Sequence, residues 1–201
     1  MSIAKHISGC IAAALLLLGC EENPYGPTGY QPDIQKPETE KPDQTPTEKG
    51  EYAKGADISW LTQMEADGQK FFSASGKQME CTALMKELGF NAIRLRVWVN
   101  PEGGWCAKED VLVKAKRAQE LGMRIMIDFH YSDSWADPSK QNVPAGWKDY
   151  NAVQMAQAVK DHTSEVLKAL KDEGIDVEWV QVGNEVNQGM LWPLGKVSGQ
   201  S

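Results

Sequence analysis

From residue 53 onward the chain alternates between two hydrophobic rhythms. Ala53–Ser59 is short and extended in character, approached through Gly55. Gln78–Leu88 carries Met79, Ala83, Leu84 and Leu88 near one face and stops at Gly89, the pattern of a helix. Asn91–Val99 is β-branched and apolar and breaks at Asn100-Pro101, a strand stop. Glu109–Leu121 aligns Val111, Ala115, Ala118 and Leu121 and ends at Gly122, a second helix. Met123–His130 is almost wholly apolar, as expected of a strand covered on both faces. Asn151–Glu173 places Ala152, Met155, Val159, Thr163, Val166 and Leu170 at helical spacing before Gly174, and Val177–Asn184 is a fourth strand. The order β-α-β-α-β-α-β implies a parallel sheet with crossover helices, either an open doubly wound sheet or a barrel. Strand-to-helix connections are long, about 18 residues after the first strand and about 20 after the third. Loops of that length in a compact domain are usually functional or disordered.

The first fifty residues follow neither rhythm. Lys5 and His6 precede an apolar run, Ile11–Leu18, too short to span a bilayer and of the size of a secretory core segment. The run ends Leu17-Leu18-Gly19-Cys20, which resembles a bacterial lipobox, so residues 1–19 are expected to be a lipoprotein signal peptide and Cys20 the lipid-attachment site. An ordinary signal peptide with an incidental cysteine is the alternative. Residues 20–50 hold Pro24, Pro27, Pro32, Pro37, Pro42 and Pro46 with little to bury, and read as an unpacked, semi-stiff spacer. Residues 51–201 are then the packed body, expected as a partial (β/α)8 domain. Glu21 and Glu22 resemble a surface-export signal, so the expected location is the outer membrane, at the cell surface; a periplasmic lipoprotein is the alternative.

Composition narrows the chemistry by exclusion. The 201 residues carry 21 basic and 28 acidic side chains, a formal charge of −7, which does not suit a binder of nucleic-acid phosphates. Only one apolar stretch exists and it is short, against a multi-span membrane protein. Four cysteines are too few for a disulfide scaffold. No glycine-rich phosphate loop follows the first strand. Three histidines, with no HExxH or paired-cysteine pattern, give no metal site, and no cofactor is expected.

Candidate site residues gather at strand ends. Gly183-Asn184-Glu185 closes the fourth strand, and a glutamate there is placed to serve as an acid. Glycoside hydrolysis needs one carboxylic acid to protonate the leaving oxygen and a second to attack or to activate water. Arg94 and Arg96 alternate with Leu95 and Val97, and an inward-facing arginine requires acids as partners. Asp128-Phe129-His130-Tyr131-Ser132-Asp133 forms a titratable cluster at the third strand's end. Six of seven tryptophans, Trp60, Trp98, Trp105, Trp135, Trp147 and Trp192, lie at strand ends or in the long loops, where indole faces suit sugar rings. Cys81 and Cys106 both fall toward the loop face; an oxidising compartment permits a disulfide between them, worth about 3 kcal/mol by loop entropy, and two unpaired thiols are the alternative.

Read together, Lys54-Gly55-Ala56-Asp57-Ile58-Ser59-Trp60, Arg94-Leu95-Arg96-Val97-Trp98, Ile127–Asp133, Trp135-Ala136-Asp137-Pro138 and Trp179–Glu185 resemble family 53 of the glycoside hydrolases, the arabinogalactan endo-β-1,4-galactanases. The resemblance implies an α/β TIM (β/α)8 barrel and retaining hydrolysis of β-1,4-galactan in type I arabinogalactan. It makes Glu185 the general acid/base and proton donor, and Asn184 the ligand of the sugar 2-hydroxyl. It has Arg96 contact the catalytic carboxylates and His130 lie near the cleaved bond. Asp57, Trp98, Asp133 and Trp135 follow as subsite residues. The family's nucleophile, a glutamate ending strand seven, has no counterpart before Ser201, so the chain is expected to be a truncated barrel ending after about its fourth strand, without activity of its own. The family's calcium sites, where present, fall in the later loops. Two other readings compete: a cellulase or mannanase of the same clan, and a surface glycan-binding lipoprotein that does not cleave.

Overall fold

A computed structural model of the protein describes residues 52–197. The signal segment, Cys20 and the proline-rich spacer lie outside the described residues. Four strands, β1 (Gly55–Asp57), β4 (Ala92–Val97), β5 (Arg124–Phe129) and β6 (Trp179–Val182), form one parallel sheet in the order β1-β4-β5-β6. Between β1 and β4 lie α1 (Leu61–Ala66), the two-stranded hairpin of β2 (Phe71–Phe72) and β3 (Gln78–Met79), and α2 (Cys81–Glu87). Helix α3 (Lys108–Glu120) connects β4 to β5, and α4 (Ala152–Asp172) connects β5 to β6. Among the described residues no helix is long and apolar enough to cross a membrane.

Strand alternation sorts the side chains. Ile93, Leu95 and Val97 of β4 and Ile125, Ile127 and Phe129 of β5 point to the helical side, where all are 0–1% exposed. They pack with Val111, Ala115 and Ala118 of α3 and Met155, Val166 and Leu170 of α4. Each fully buried aliphatic or aromatic side chain of this kind contributes about 1.5–3 kcal/mol. The residues between them, Arg94, Arg96, Asp128 and Gln181, share the opposite face. Both edge strands, β1 and β6, lack a second neighbour among the described residues. On β6, Val180 and Val182 remain 41% and 57% exposed.

Three features depart from the expected elements. The connection after β1 is not a plain loop: Leu61 and Thr62 are buried in α1, and the hairpin folds behind it. The second helix begins at Cys81 rather than Gln78, because Gln78 and Met79 pair with Phe72 and Phe71 while the Glu80 carboxylate accepts the Ala83 amide at 2.9 Å as a cap. The longest helix starts where the pattern placed it, on a capping box of Asn151 and Gln154. Finally, Cys81 and Cys106 are not bridged. Both are buried and free, and the Cys106 thiol is occupied, accepting Arg96 Nη2 at 3.3 Å and donating to Ser59 O at 3.4 Å.

Candidate active site

The carboxyl ends of the four strands carry the polar face, and Arg94 is its hub. In the sheet register Arg94 lies beside Asp57 on one side and Met126 on the other, while Arg96 lies beside Asp128, which lies beside Gln181. Arg94 Nη1 meets Asp57 Oδ2 at 2.6 Å and Arg94 Nη2 meets Asp128 Oδ2 at 2.6 Å. The same Nη2 donates to Asn184 Oδ1 at 2.9 Å. One guanidinium therefore spans three strand ends, the bidentate use to which its planar fork is suited. Burial works against a charged Asp57, but the Ser59 hydroxyl and amide, together with Arg94, hold its carboxyl below the usual range.

His130 is buried and both of its nitrogens are engaged. Nδ1 accepts the Ala136 amide at 3.1 Å, which leaves Nε2 to carry the ring proton toward Asp128 Oδ2 at 2.9 Å. Asp128 thus has Oδ2 shared by Arg94 and His130, while its buried Oδ1 has no partner. This places His130 as a brace for Asp128 and for the loop at Ala136.

Arg96 sits differently from Arg94: among the described residues it makes no ion pair, while Asp57 and Asp128 are met by Arg94. The Arg96 guanidinium lies 3.9 Å from the Trp135 ring centre, 4.5 Å from that of Trp98 and 6.0 Å from that of Trp60. Trp135 stands edge-on to Trp60 and to Trp98, each at 5.8 Å between ring centres. Such edge contacts and a partly desolvated cation over indole add about 0.5–2 kcal/mol apiece. Trp60 and Trp135 stay 52% and 41% exposed above this packing, presenting ring surface at the rim. A cavity of about 470 Å³ opens beside them, lined by Asp57, Ser59, Trp60, Arg94, Arg96 and Trp135. The other loop tryptophans do not join the group: Trp147 packs edge-on to His162, and Trp192 donates its indole N–H to Gln188 O at 3.1 Å.

Glu185 stands at the far side of the same rim, on a left-handed backbone (φ 51°) just past β6. Among the described residues, the four non-glycine residues with positive φ (Cys106, Tyr131, Glu185 and Leu191) lie in segments that follow a strand of the sheet. Strain of about 1–3 kcal/mol at each is held only where surrounding contacts over-determine it. At Glu185 those contacts are visible. Gln141, 2% exposed, donates to Asn184 O at 2.8 Å and to Glu185 O at 3.4 Å. Asn184 Nδ2 donates to Ala136 O at 2.8 Å, tying the turn to the loop that bears Trp135. Gly183 (φ 88°) admits no side chain, since a Cβ there would come within 2.6 Å of Val186 Cγ1. The Glu185 carboxylate itself has no hydrogen-bond or ion-pair partner among the described residues. Asp133, expected in a subsite, accepts the Asn100 amide at 2.9 Å and the Ala145 amide at 2.8 Å and so fastens two loops. Among the described residues no group of three or more His, Cys, Asp or Glu side chains is spaced to hold a metal ion.

Residues 53–201 match the model of glycosyl hydrolase family 53. The chain belongs to this family. A Neosartorya fischeri protein named probable arabinogalactan endo-β-1,4-galactanase A is 41% identical over 143 residues, 71% of this chain and 40% of its own length. The Aspergillus niger arabinogalactan endo-β-1,4-galactanase A is 39% identical over 145 residues, covering 72% and 41%. Among solved structures, a fungal β-1,4-galactanase superimposes with a TM-score of 0.70 at 38% identity, covering 72% of this chain and 43% of that one. The Ignisphaera aggregans family 53 catalytic domain gives 0.68 at 37% identity, covering 71% and 42%. The chain therefore spans about two-fifths of the length of the relatives it matches. Its four-stranded parallel sheet is part of the family 53 TIM barrel, and the rim described above is the face on which such barrels carry their sites.

Sequence reasoning found Glu185, Asn184, Asp57, Trp98 and Trp135 at this rim. It did not single out Gln141 and Gln181. Parity puts Arg94, Arg96 and Asp128 on one face of the sheet but does not tell which arginine is the hub. Gln141 had no signal, since it reaches the turn from an irregular loop.

Proposed function

We propose that the protein is an endo-acting, retaining glycosidase for β-1,4-galactosidic bonds of type I arabinogalactan. The reading is supported by the family, by the names of its relatives and above all by one observation: Glu185 is held on a braced, strained turn with its carboxylate unengaged. A strained backbone at a cleft is how a fold aims a reacting group. In this reading Glu185 protonates the glycosidic oxygen and later activates water. Asn184 is fixed by Arg94 and Ala136, and its second amide hydrogen is left for a sugar hydroxyl. Trp60 and Trp135 supply stacking faces. The retaining route also needs a second carboxylate about 5–5.5 Å from the first. Asp57 and Asp128 are ion-paired to Arg94 and serve instead to set the rim's charge. Export on a lipidated Cys20 completes the proposal; incorporation of a tagged fatty acid that disappears in Cys20→Ser tests it.

The enzymatic reading is tested with purified galactan. The protein is expected to be retained on β-1,4-galactan and not on cellulose or mannan. Where the polymer is turned over, Glu185→Gln should lower kcat by about 10²–10⁴ while leaving retention intact. Turnover that survives Glu185→Gln refutes the assignment. Binding without cleavage is a second reading, favoured by the preassembled tryptophan group around Arg96. It predicts retention with the polymer's chain length unchanged.

A further inference from the structure

The inner side of α3 carries a charged pair that the proposed chemistry does not use. Lys114 and Asp110, one helical turn apart, are both 0% exposed, and Lys114 Nζ meets Asp110 Oδ2 at 2.5 Å. Two fully buried charges inside a helix otherwise lined by Val111, Ala115 and Ala118 are costly to desolvate, and a purely apolar pair would serve packing as well or better. What the pair does that an apolar one cannot is read from its other bonds. Lys114 Nζ donates to Ser59 O at 2.7 Å. Asp110 Oδ1 accepts Thr62 Oγ1 at 2.5 Å, and Asp110 Oδ2 accepts the Cys106 amide at 2.6 Å. The pair thus grips Ser59 and Thr62, on either side of Trp60, and Cys106, whose carbonyl accepts the Trp98 amide at 2.9 Å. Ser59 passes the restraint on, since its hydroxyl accepts the Arg96 amide at 2.7 Å and donates to Asp57 Oδ1 at 2.6 Å.

We infer that Lys114 and Asp110 are positioning residues for the rim: from inside the helix layer they fix where Trp60, Trp98 and Asp57 stand relative to Arg96. Ser59, Thr62 and Cys106 bond this single ion pair directly, and residues 96–98 are tied to it through Ser59 and Cys106. Its geometry sets the spacing of the stacking faces. The consequence for ligand rests on the galactan reading given above; the consequence for the tryptophans does not.

The test compares two buried changes on the same helix. Lys114→Met removes the grip on Ser59 and strands Asp110. Val111→Ala removes only packing. Both are made in the full chain and studied at a temperature where each keeps its far-ultraviolet helical signal. The edge-on indoles of Trp60, Trp98 and Trp135 are close enough to couple, and their exciton circular-dichroism band reports their mutual geometry. The band is expected to collapse in Lys114→Met and to persist in Val111→Ala. Should Lys114→Met not fold, Thr62→Val cuts one arm of the network and is expected to weaken the band in proportion. A band that survives either cut, or that Val111→Ala diminishes equally, overturns the inference. Galactotetraose affinity, measured in parallel, should weaken about tenfold in Lys114→Met, the scale of one charge-assisted hydrogen bond. If the unmodified chain binds no galactotetraose, the galactan reading fails while the exciton result still decides the positioning role.

Discussion

Replacing Arg94 by methionine isolates the hub of the site. The substitution keeps the length of the stem and deletes the guanidinium that meets Asp57, Asp128 and Asn184. Asp128 is 0% exposed and would be left with only the His130 ring beside it. Removing one partner of a buried pair costs about 3–5 kcal/mol, chiefly through the charge left behind. Arg94 is itself 29% exposed, which puts the ion-pair part near the lower end, at about 3 kcal/mol. The lost bond to Asn184 adds about 1 kcal/mol. For a domain of this size each kcal/mol moves Tm by about 2–4 °C, so Arg94→Met should melt roughly 8–16 °C below the parent. The decisive arm is the double variant. Because most of the cost is attributed to an orphaned carboxylate, adding Asp128→Asn should recover more than half of the lost Tm. Thermal denaturation followed by circular dichroism at neutral pH measures all three proteins. A fall under about 3 °C, or a double variant no more stable than the single one, refutes the account of Arg94 as counter-charge to a buried acid.

Other outcomes follow from the same structure. Gln141→Leu should cost about 1–3 kcal/mol and speed proteolysis after Asn184, since it strips the donors from the Asn184 and Glu185 carbonyls; limited digestion with mass spectrometry reads it. His162 is pushed below its usual range by burial among Phe129, Tyr131 and Trp147, and its Nε2 has no hydrogen-bond partner among the described residues. A lowered folded value means the unfolded chain takes up the proton first. Stability is therefore lost as pH falls from 6.5 toward the folded value, and His162→Phe should flatten that limb of a Tm-against-pH curve. Burial lifts the Cys81 thiol to about 11 and raises that of Cys106. In a chain with Cys10→Ser and Cys20→Ser, a thiol reagent at mildly alkaline pH should find almost nothing in the native protein and two equivalents after denaturation; a count of zero after denaturation would mean a bridge.

The order of strands and helices was legible because it rests on local periodicity. The cores of β4 and β5 and the start of α4 after Asn151 stand where the pattern put them. The segment between Trp60 and Glu80 was not legible. Leu61-Thr62 begins a helix of only two turns, too short to show a period, and Phe71-Phe72 is too short to show strand alternation. Residues at strand ends, such as Glu185, Trp98 and Asp57, could be placed on the rim from the sequence. Placement decided across strands could not be read. Arg94 and Arg96 share parity and composition, and the register sets Arg96 beside Asp128; only the placement of the side chains, Arg94 on Asp57 and Asp128 and Arg96 against Trp135, separates a counter-ion from a stacking cation. The buried Asp110–Lys114 pair was hidden for a simpler reason: a charge on an apolar helix face reads as surface until its partners are seen.

An imidazole with one nitrogen receiving an amide and the other turned to a sealed carboxylate is masonry in this barrel. His130 fixes the Ala136 amide, and the Ala136 carbonyl in turn receives the Asn184 side-chain amide, so one ring sets both the loop that bears Trp135 and the turn that bears Glu185.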